Sequence, residues 1–171
     1  FRSRANFRQV STALFSRKVW FSVSAKADYK IFFLNQALMM GIGPRLISKL
    51  ALATLIFESL HLLFDGRVIL MPEAPGWLIA TLFTLSLFLM DDASKYFVHR
   101  AMHRWPVLWA FHRVHHTAET MTPLTVYRTH PVEAVIFSLR GVFVQALAVS
   151  VFLYFFGTRA ELVTVLGANF I

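Results

Sequence analysis

Three long apolar runs, Leu46–Phe64, Trp77–Met90 and Val132–Phe156, constrain this chain more than anything else in it. About 20 apolar residues in a helix cross a bilayer core. A hydrophobic fraction of 57% and a mean hydropathy of +0.58 are too apolar for an ordinary soluble domain. The expected fold class is therefore all-α: a multi-span membrane helical protein with a cytoplasmic histidine-rich helical segment.

In chain order, residues 1–30 form a basic N-terminal segment. Arg2, Arg4, Arg8, Arg17, Lys18, Lys26 and Lys30 stand there against the single acid Asp28. Its rough amphipathic pattern suits a helix lying on a membrane surface, and equally a solvated tail. It lacks the small-residue cleavage pattern of a signal peptide. Residues 31–90 are expected to hold the first two spans. Ile31–Met40 is apolar, and Gly41-Ile42-Gly43-Pro44 predicts a helix break before the first span. Asp65–Pro75 reads as a loop, with Gly66, Pro72 and Pro75 as turn signals. Trp77–Met90 is predicted to continue as helix through the first histidine pair. Residues 132–171 read as a membrane hairpin, with Arg140 interrupting the third run and a turn at Gly157-Thr158-Arg159 before a fourth run from Ala160. His61, near Glu58, reads as an intramembrane polar contact rather than a ligand. The basic N-terminus and histidine segment, set against the slightly acidic Asp65–Pro75 loop, predict that both basic parts lie on the cytoplasmic side.

The formal charge of +8 points to anionic lipid headgroups and membrane topology rather than nucleic acid, because the basic residues sit beside apolar runs. With no cysteine in the chain, disulfides, Fe–S clusters and thiolate zinc sites are excluded. Any metal must be held by nitrogen and oxygen.

Six of the seven histidines fall between Asp91 and Glu133, the core of a segment taken as residues 91–131. His99 and His103 stand at i, i+4, and His112, His115 and His116 at i, i+3, i+4. Each set shares one helix face, one turn apart. Two such faces aimed at one volume offer several imidazoles to a transition metal rather than to Ca or Mg. Asp92 and Tyr96 complete a stripe with His99 and His103 at i, i+4, i+7, i+11. They read as hydrogen-bonding partners that orient the imidazoles, with Asp92 also a candidate oxygen ligand. Trp105-Pro106 turns the chain, and Pro106 suits the first turn of a new helix.

At these residues the chain resembles the fatty acid hydroxylase/sterol desaturase superfamily of integral-membrane oxygenases. The matching text is D-x-x-x-Y-x-x-H-R-x-x-H from Asp92 to His103, L-W-x-F-H-x-V-H-H from Leu108 to His116, and R-x-H-P-x-E from Arg128 to Glu133. The paired boxes H-x3-H and H-x2-H-H are a specific signal; either alone would be weak. Carotenoid hydroxylases are relatives, but their first box is usually one residue longer.

The resemblance implies that His99, His103, His112, His115 and His116 are metal ligands. It also makes His130 and Glu133 further ligands or hydrogen-bonding partners, and Arg128 a partner for a carboxylate or headgroup. It implies two non-haem iron ions (zinc being an alternative occupant), O2 as co-substrate, and electrons from a reductase through cytochrome b5 or a ferredoxin. The substrates it implies are sterols, fatty acyl chains, sphingolipids or ether lipids, and the location is a bacterial inner membrane or the endoplasmic reticulum. Phe97, Trp105, Trp109, Phe111 and Met121 are candidates for lining substrate access, although ordinary membrane-interface packing accounts for each. The family's third box, again H-x2-H-H, is missing. The chain opens on Phe1 and stops at Ile171 within an apolar run that has no helix cap. Residues 1–171 are accordingly expected to be one truncated domain, inactive alone, with the third box beyond Ile171.

A zinc peptidase would want H-E-x-x-H, and Arg100 follows His99. A haem protein would place axial histidines on facing spans inside the bilayer. A non-catalytic membrane protein with a structural metal is the remaining alternative.

Overall fold

The computed structural model describes residue 6 and residues 11–12, 14–46, 48–66 and 68–157. Residues 1–5, 7–10 and 13 of the basic N-terminal segment, and the expected fourth run from Ala160, lie outside these. Every regular element among the described residues is helical, in the order Arg17–Trp20, Val23–Leu46, Lys49–Leu63, Gly76–Arg104, Pro106–His112 and Pro131–Phe156. Two short 3-10 turns, His115–Thr117 and Pro123–Tyr127, lie between the last two helices.

The helix boundaries follow local chemistry. The Gly76–Arg104 helix starts directly after Pro75 and contains no further glycine or proline. It stops at Trp105, whose φ of −98° and ψ of 122° are the extended geometry that a following proline imposes. Pro106 then opens the next helix at a position where its missing N–H costs nothing. Pro131–Phe156 opens the same way, with Glu133 in its first turn. It ends against Gly157, at φ +62°, the left-handed position that glycine adopts without strain.

One expectation is corrected. Gly41-Ile42-Gly43-Pro44 does not break the helix, which runs unbroken from Val23 to Leu46. Glycine tolerates helical torsions, and Pro44 falls within the last turn, so its missing N–H removes only one hydrogen bond near an end that frays anyway. The apolar run expected as the first span forms a helix only over Lys49–Leu63. At 1.5 Å per residue that is about 22 Å, shorter than a bilayer core.

The chain divides into two compact units. The first comprises Phe1–Ile42 and Ala101–Val135. A buried ion pair organises it, with Arg128 Nε 2.5 Å from Asp28 Oδ1. Thr125 donates its hydroxyl hydrogen to Asp28 Oδ2 at 2.6 Å, and Arg128 Nη2 donates to the Ser24 carbonyl at 3.0 Å. Asn35 donates to the Thr129 carbonyl at 2.8 Å. These bonds fasten the loop after the histidines to the Val23–Leu46 helix.

The second unit comprises Gly43–Arg100 and Ile136–Ile171. Its core joins Ile79 and Phe83 to Ala148 and Phe152, and the rings of Phe83 and Phe152 meet edge to face at 5.1 Å. Ser150 donates to the Ala53 carbonyl at 2.7 Å. Tyr154 donates to the Gly66 carbonyl. Arg140 donates to Asp91 Oδ1 and to Ser94 Oγ, each at 2.7 Å. His61 Nδ1 faces the Phe57 carbonyl at 3.1 Å, and its ring packs on Tyr154 at 4.8 Å; Glu58 is not its partner.

Gly76–Arg104 and Pro131–Phe156, of 29 and 26 residues, are long and apolar enough to cross a membrane. Only 11% and 28% of their apolar windows are buried within the chain, whereas the core helix of a soluble protein would be mostly covered. The large side chains of Trp77, Leu85, Phe88 and Leu89 lie exposed, as lipid-facing residues do.

Candidate metal centre

One unbroken helix carries both histidines of the first box. Gly76–Arg104 places His99 and His103 one turn apart on one face. The break at Trp105 folds the Pro106–His112 helix back and delivers His112 at its last position. Beyond it the backbone tightens. His116 N donates to the Arg113 carbonyl at 3.0 Å, and His115–Thr117 forms a 3-10 turn. The i, i+4 relation between His112 and His116 survives this tightening, although a regular helix does not.

The imidazoles converge. His103 Nε2 lies 3.2 Å from His112 Nε2, and His116 Nε2 lies 3.3 Å from the same atom. Carried one turn back along the same helix, His99 completes a set with His103 and His112, whose ligand atoms all lie within 4.8 Å of one another. Nitrogens bound to one metal at about 2.0–2.1 Å in tetrahedral geometry stand about 3.3 Å apart. The observed separations therefore fit a shared metal. Hydrogen bonding alone explains them poorly, since one lone pair on His112 would have to accept from two rings.

Glu133 sets the polarity of this cluster. Its Oε1 lies 2.9 Å from His112 Nδ1, and both side chains are almost wholly buried, at 3% and 1% exposure. A carboxylate at Nδ1 holds the hydrogen there and leaves Nε2 as a lone pair facing His103 and His116. Burial, and then the charges of His103, His116 and His115, push the His112 value down to about 4. Its ring is therefore neutral at physiological pH, the form that binds metal. His115 stacks on His112 with ring centres 5.7 Å apart. Among the described residues, the buried His115 Nδ1 and Glu133 Oε2 have no hydrogen-bond partner. Two unsatisfied buried groups beside an imidazole cluster fit a centre that takes a cation.

Residues 84–170, just over half of the chain, match the fatty acid hydroxylase family. The chain belongs to the fatty acid hydroxylase family. No curated protein and no solved structure matches it. Both histidine boxes and the Arg128–Glu133 element lie within the matched region. Together with the two apolar helices, family membership makes the chain a membrane protein and an oxidoreductase, with a histidine cluster compatible with a metal site.

Not every residue on the predicted stripe of this fatty acid hydroxylase reaches the cluster. Tyr96 is exposed, and its hydroxyl accepts from Arg100 Nη1 at 2.8 Å. Asp92 lines a separate cavity with Asp91, Lys95 and Arg140. His130 caps the Pro131–Phe156 helix, its Nδ1 accepting from Val132 N at 3.1 Å, and its ring packs on Phe111 at 4.9 Å. Trp109 stands over His103 at 5.3 Å and over His116 at 5.5 Å. Met121, with Thr122 and Val126, lines a cavity of about 440 Å³ beside His115 and His116. Phe97 and Trp105 are exposed. Sequence reasoning left Arg128 between a carboxylate and a headgroup as partner; the carboxylate is Asp28. Only the isolation of that acid among basic residues hinted at it.

Proposed function

We propose that the full-length protein is an O2-dependent lipid hydroxylase or desaturase that works at a histidine-held di-iron centre in the membrane. His99, His103, His112, His115 and His116 are its ligands in this chain. The observation that carries the reading is the convergence of His103 and His116 on His112 at metal-compatible spacing, inside a family that oxidises lipids.

The centre supplies the activation of O2 needed to break an unactivated C–H bond, which acid–base side chains cannot do. In hydroxylation, R–H, O2, two electrons and two protons give R–OH and water. In desaturation the same reagents remove two hydrogens from adjacent carbons and give two waters. The electrons come from cytochrome b5 or a ferredoxin with its reductase. The substrate is a sterol, fatty acyl, sphingolipid or ether-lipid chain. The site lies on the cytoplasmic face of a multi-pass protein, in a bacterial inner membrane or the endoplasmic reticulum.

This chain's residues have separate tasks. Glu133 fixes the His112 tautomer and ring orientation. Trp109 covers one side of the imidazoles, and the cavity beside Met121 gives an apolar chain room to approach. The Asp28–Arg128 pair holds the loop that bounds this cavity, through Thr125.

The test is lipid profiling of cells that express the full-length protein or its His115→Ala and His116→Ala variants, with metal analysis of each purified protein. The expected result is an oxidised lipid made only by the parent, with two irons per chain. Identical lipid profiles from parent and variants would sink the proposal.

A further inference from the structure

The second unit holds a cavity of about 310 Å³ that the oxidative reading does not use. Its lining is graded. Asp91, Asp92, Lys95 and Arg140 stand at one end, and Leu87, Phe88 and Thr84 lie one to two turns further along the apolar helix. Asp91 is also where the apolar run Trp77–Met90 gives way to polar sequence. In a membrane that is the boundary between hydrocarbon and headgroups. A cavity graded in this way fits an amphiphile lying with its head at Asp92 and its chain along Leu87 and Phe88.

The charges select the head. Asp91 is already engaged by Lys95 Nζ at 2.6 Å and by Arg140 Nη1 at 2.7 Å. Two cations and two carboxylates leave the end of the cavity with no net charge. An anionic head would meet the unengaged Asp92, and a cationic head would meet Lys95 and Arg140. Hydrogen-bonding capacity remains unused. Among the described residues, neither Asp92 nor Gln145 forms a side-chain hydrogen bond. Asp92 offers an acceptor, and Gln145 both a donor and an acceptor.

We infer that this cavity binds the hydroxyl- or amide-bearing head of an uncharged membrane lipid. The head donates to Asp92 and accepts from Gln145, and the acyl or isoprenoid chain runs along Leu87 and Phe88. The site stands apart from the oxidative reading, because nothing in it requires metal or oxygen.

Photolabelling of the full chain in phosphatidylcholine vesicles tests this. The probe is a long-chain primary alcohol with a diazirine next to its head, and the comparator is the same chain ending in a carboxylate. The alcohol is expected to label the Thr84–Lys95 segment and the peptide that holds Gln145, and excess unlabelled alcohol should remove that label. Asp92→Leu and Gln145→Leu each remove one hydrogen bond and should weaken saturable labelling roughly three- to tenfold. Leu87→Trp, which fills the apolar end without touching a charge, should abolish it and decides the matter if either polar variant fails to fold. Labelling spread evenly along both helices, equal labelling by the carboxylate, or variants that label like the parent would each overturn the inference. Metal content measured on the same samples keeps this outcome separate from the fate of the oxidative site.

Discussion

His112 and Glu133 are partners across 21 positions of sequence, joined at 2.9 Å with both side chains almost wholly buried. A carboxylate bonded to the far nitrogen of an imidazole raises its basicity and fixes its rotation, so the near nitrogen is already aimed when a metal arrives. The same carboxylate is the first acidic side chain of the Pro131–Phe156 helix. A helix long and apolar enough to cross a membrane therefore also orients the His112 ring.

Loss of that carboxylate should weaken metal binding without removing a ligand. Glu133→Ala is expected to lower affinity about 10- to 100-fold. Glu133→Gln, whose amide oxygen still accepts a hydrogen bond, should lose less. Titration against a competing chelator measures both. Parent-like affinity in Glu133→Ala would show that the pair has no part in ligand orientation.

The same burial predicts acid sensitivity of the metal-free protein. His112 has a folded-state value near 4, against about 6.5 in an unfolded chain. Between these values the unfolded chain takes up a proton that the folded one resists. Stability therefore falls as pH drops from about 6.5 to about 4 and levels off below that. The full shift corresponds to about 3 kcal/mol. Denaturation midpoints measured across this window should decline in the parent and decline less in His112→Gln. Equal slopes would remove His112 as the cause.

What could be read from sequence alone was whatever period and punctuation determine. The helix through His99 and His103 follows from a stretch free of proline and glycine, and the turn after Arg104 from Trp105-Pro106. Periodicity fixes angle but not height along the helix. Asp92 shares a helix face with His99, yet seven residues separate them by about 10 Å along the axis, and it lines another cavity. Tyr96 lies closer to the box, but Arg100, one turn on, engages its hydroxyl. At Gly41–Pro44 local breaking tendencies lost to the continuity of a long helix. Glu133 with His112, and Asp28 with Arg128, are long-range pairings that no local signal encodes.

His130 separates a capping role from a ligand role. It stands in the family's R-x-H-P-x-E text, but its Nδ1 already accepts from Val132 N at the start of a helix. His130→Ala should cost about 1 kcal/mol, the usual worth of such a cap, and leave the metal content unchanged. His130→Asn, which can accept the same bond, should recover most of the stability. Metal loss in both variants would make His130 a ligand.

The Asp28–Arg128 pair makes the sharpest demand on folding. Both side chains are buried, and removing one partner strands a charge away from water. Arg128→Met or Asp28→Asn should each destabilise the protein by about 3–5 kcal/mol, whereas an apolar replacement of both together should be far milder. Asp28→Asn also weakens the acceptor of the Thr125 hydroxyl, whose neighbours line the cavity beside His115 and His116. Thermal midpoints in detergent for the two single variants and the double variant measure this coupling. A double variant as unstable as the sum of the singles would mean that the two side chains act independently. The loop after the histidines would then owe its position to Asn35–Thr129 and to the bonds from Glu119 N and Thr120 N to Ser24 Oγ instead.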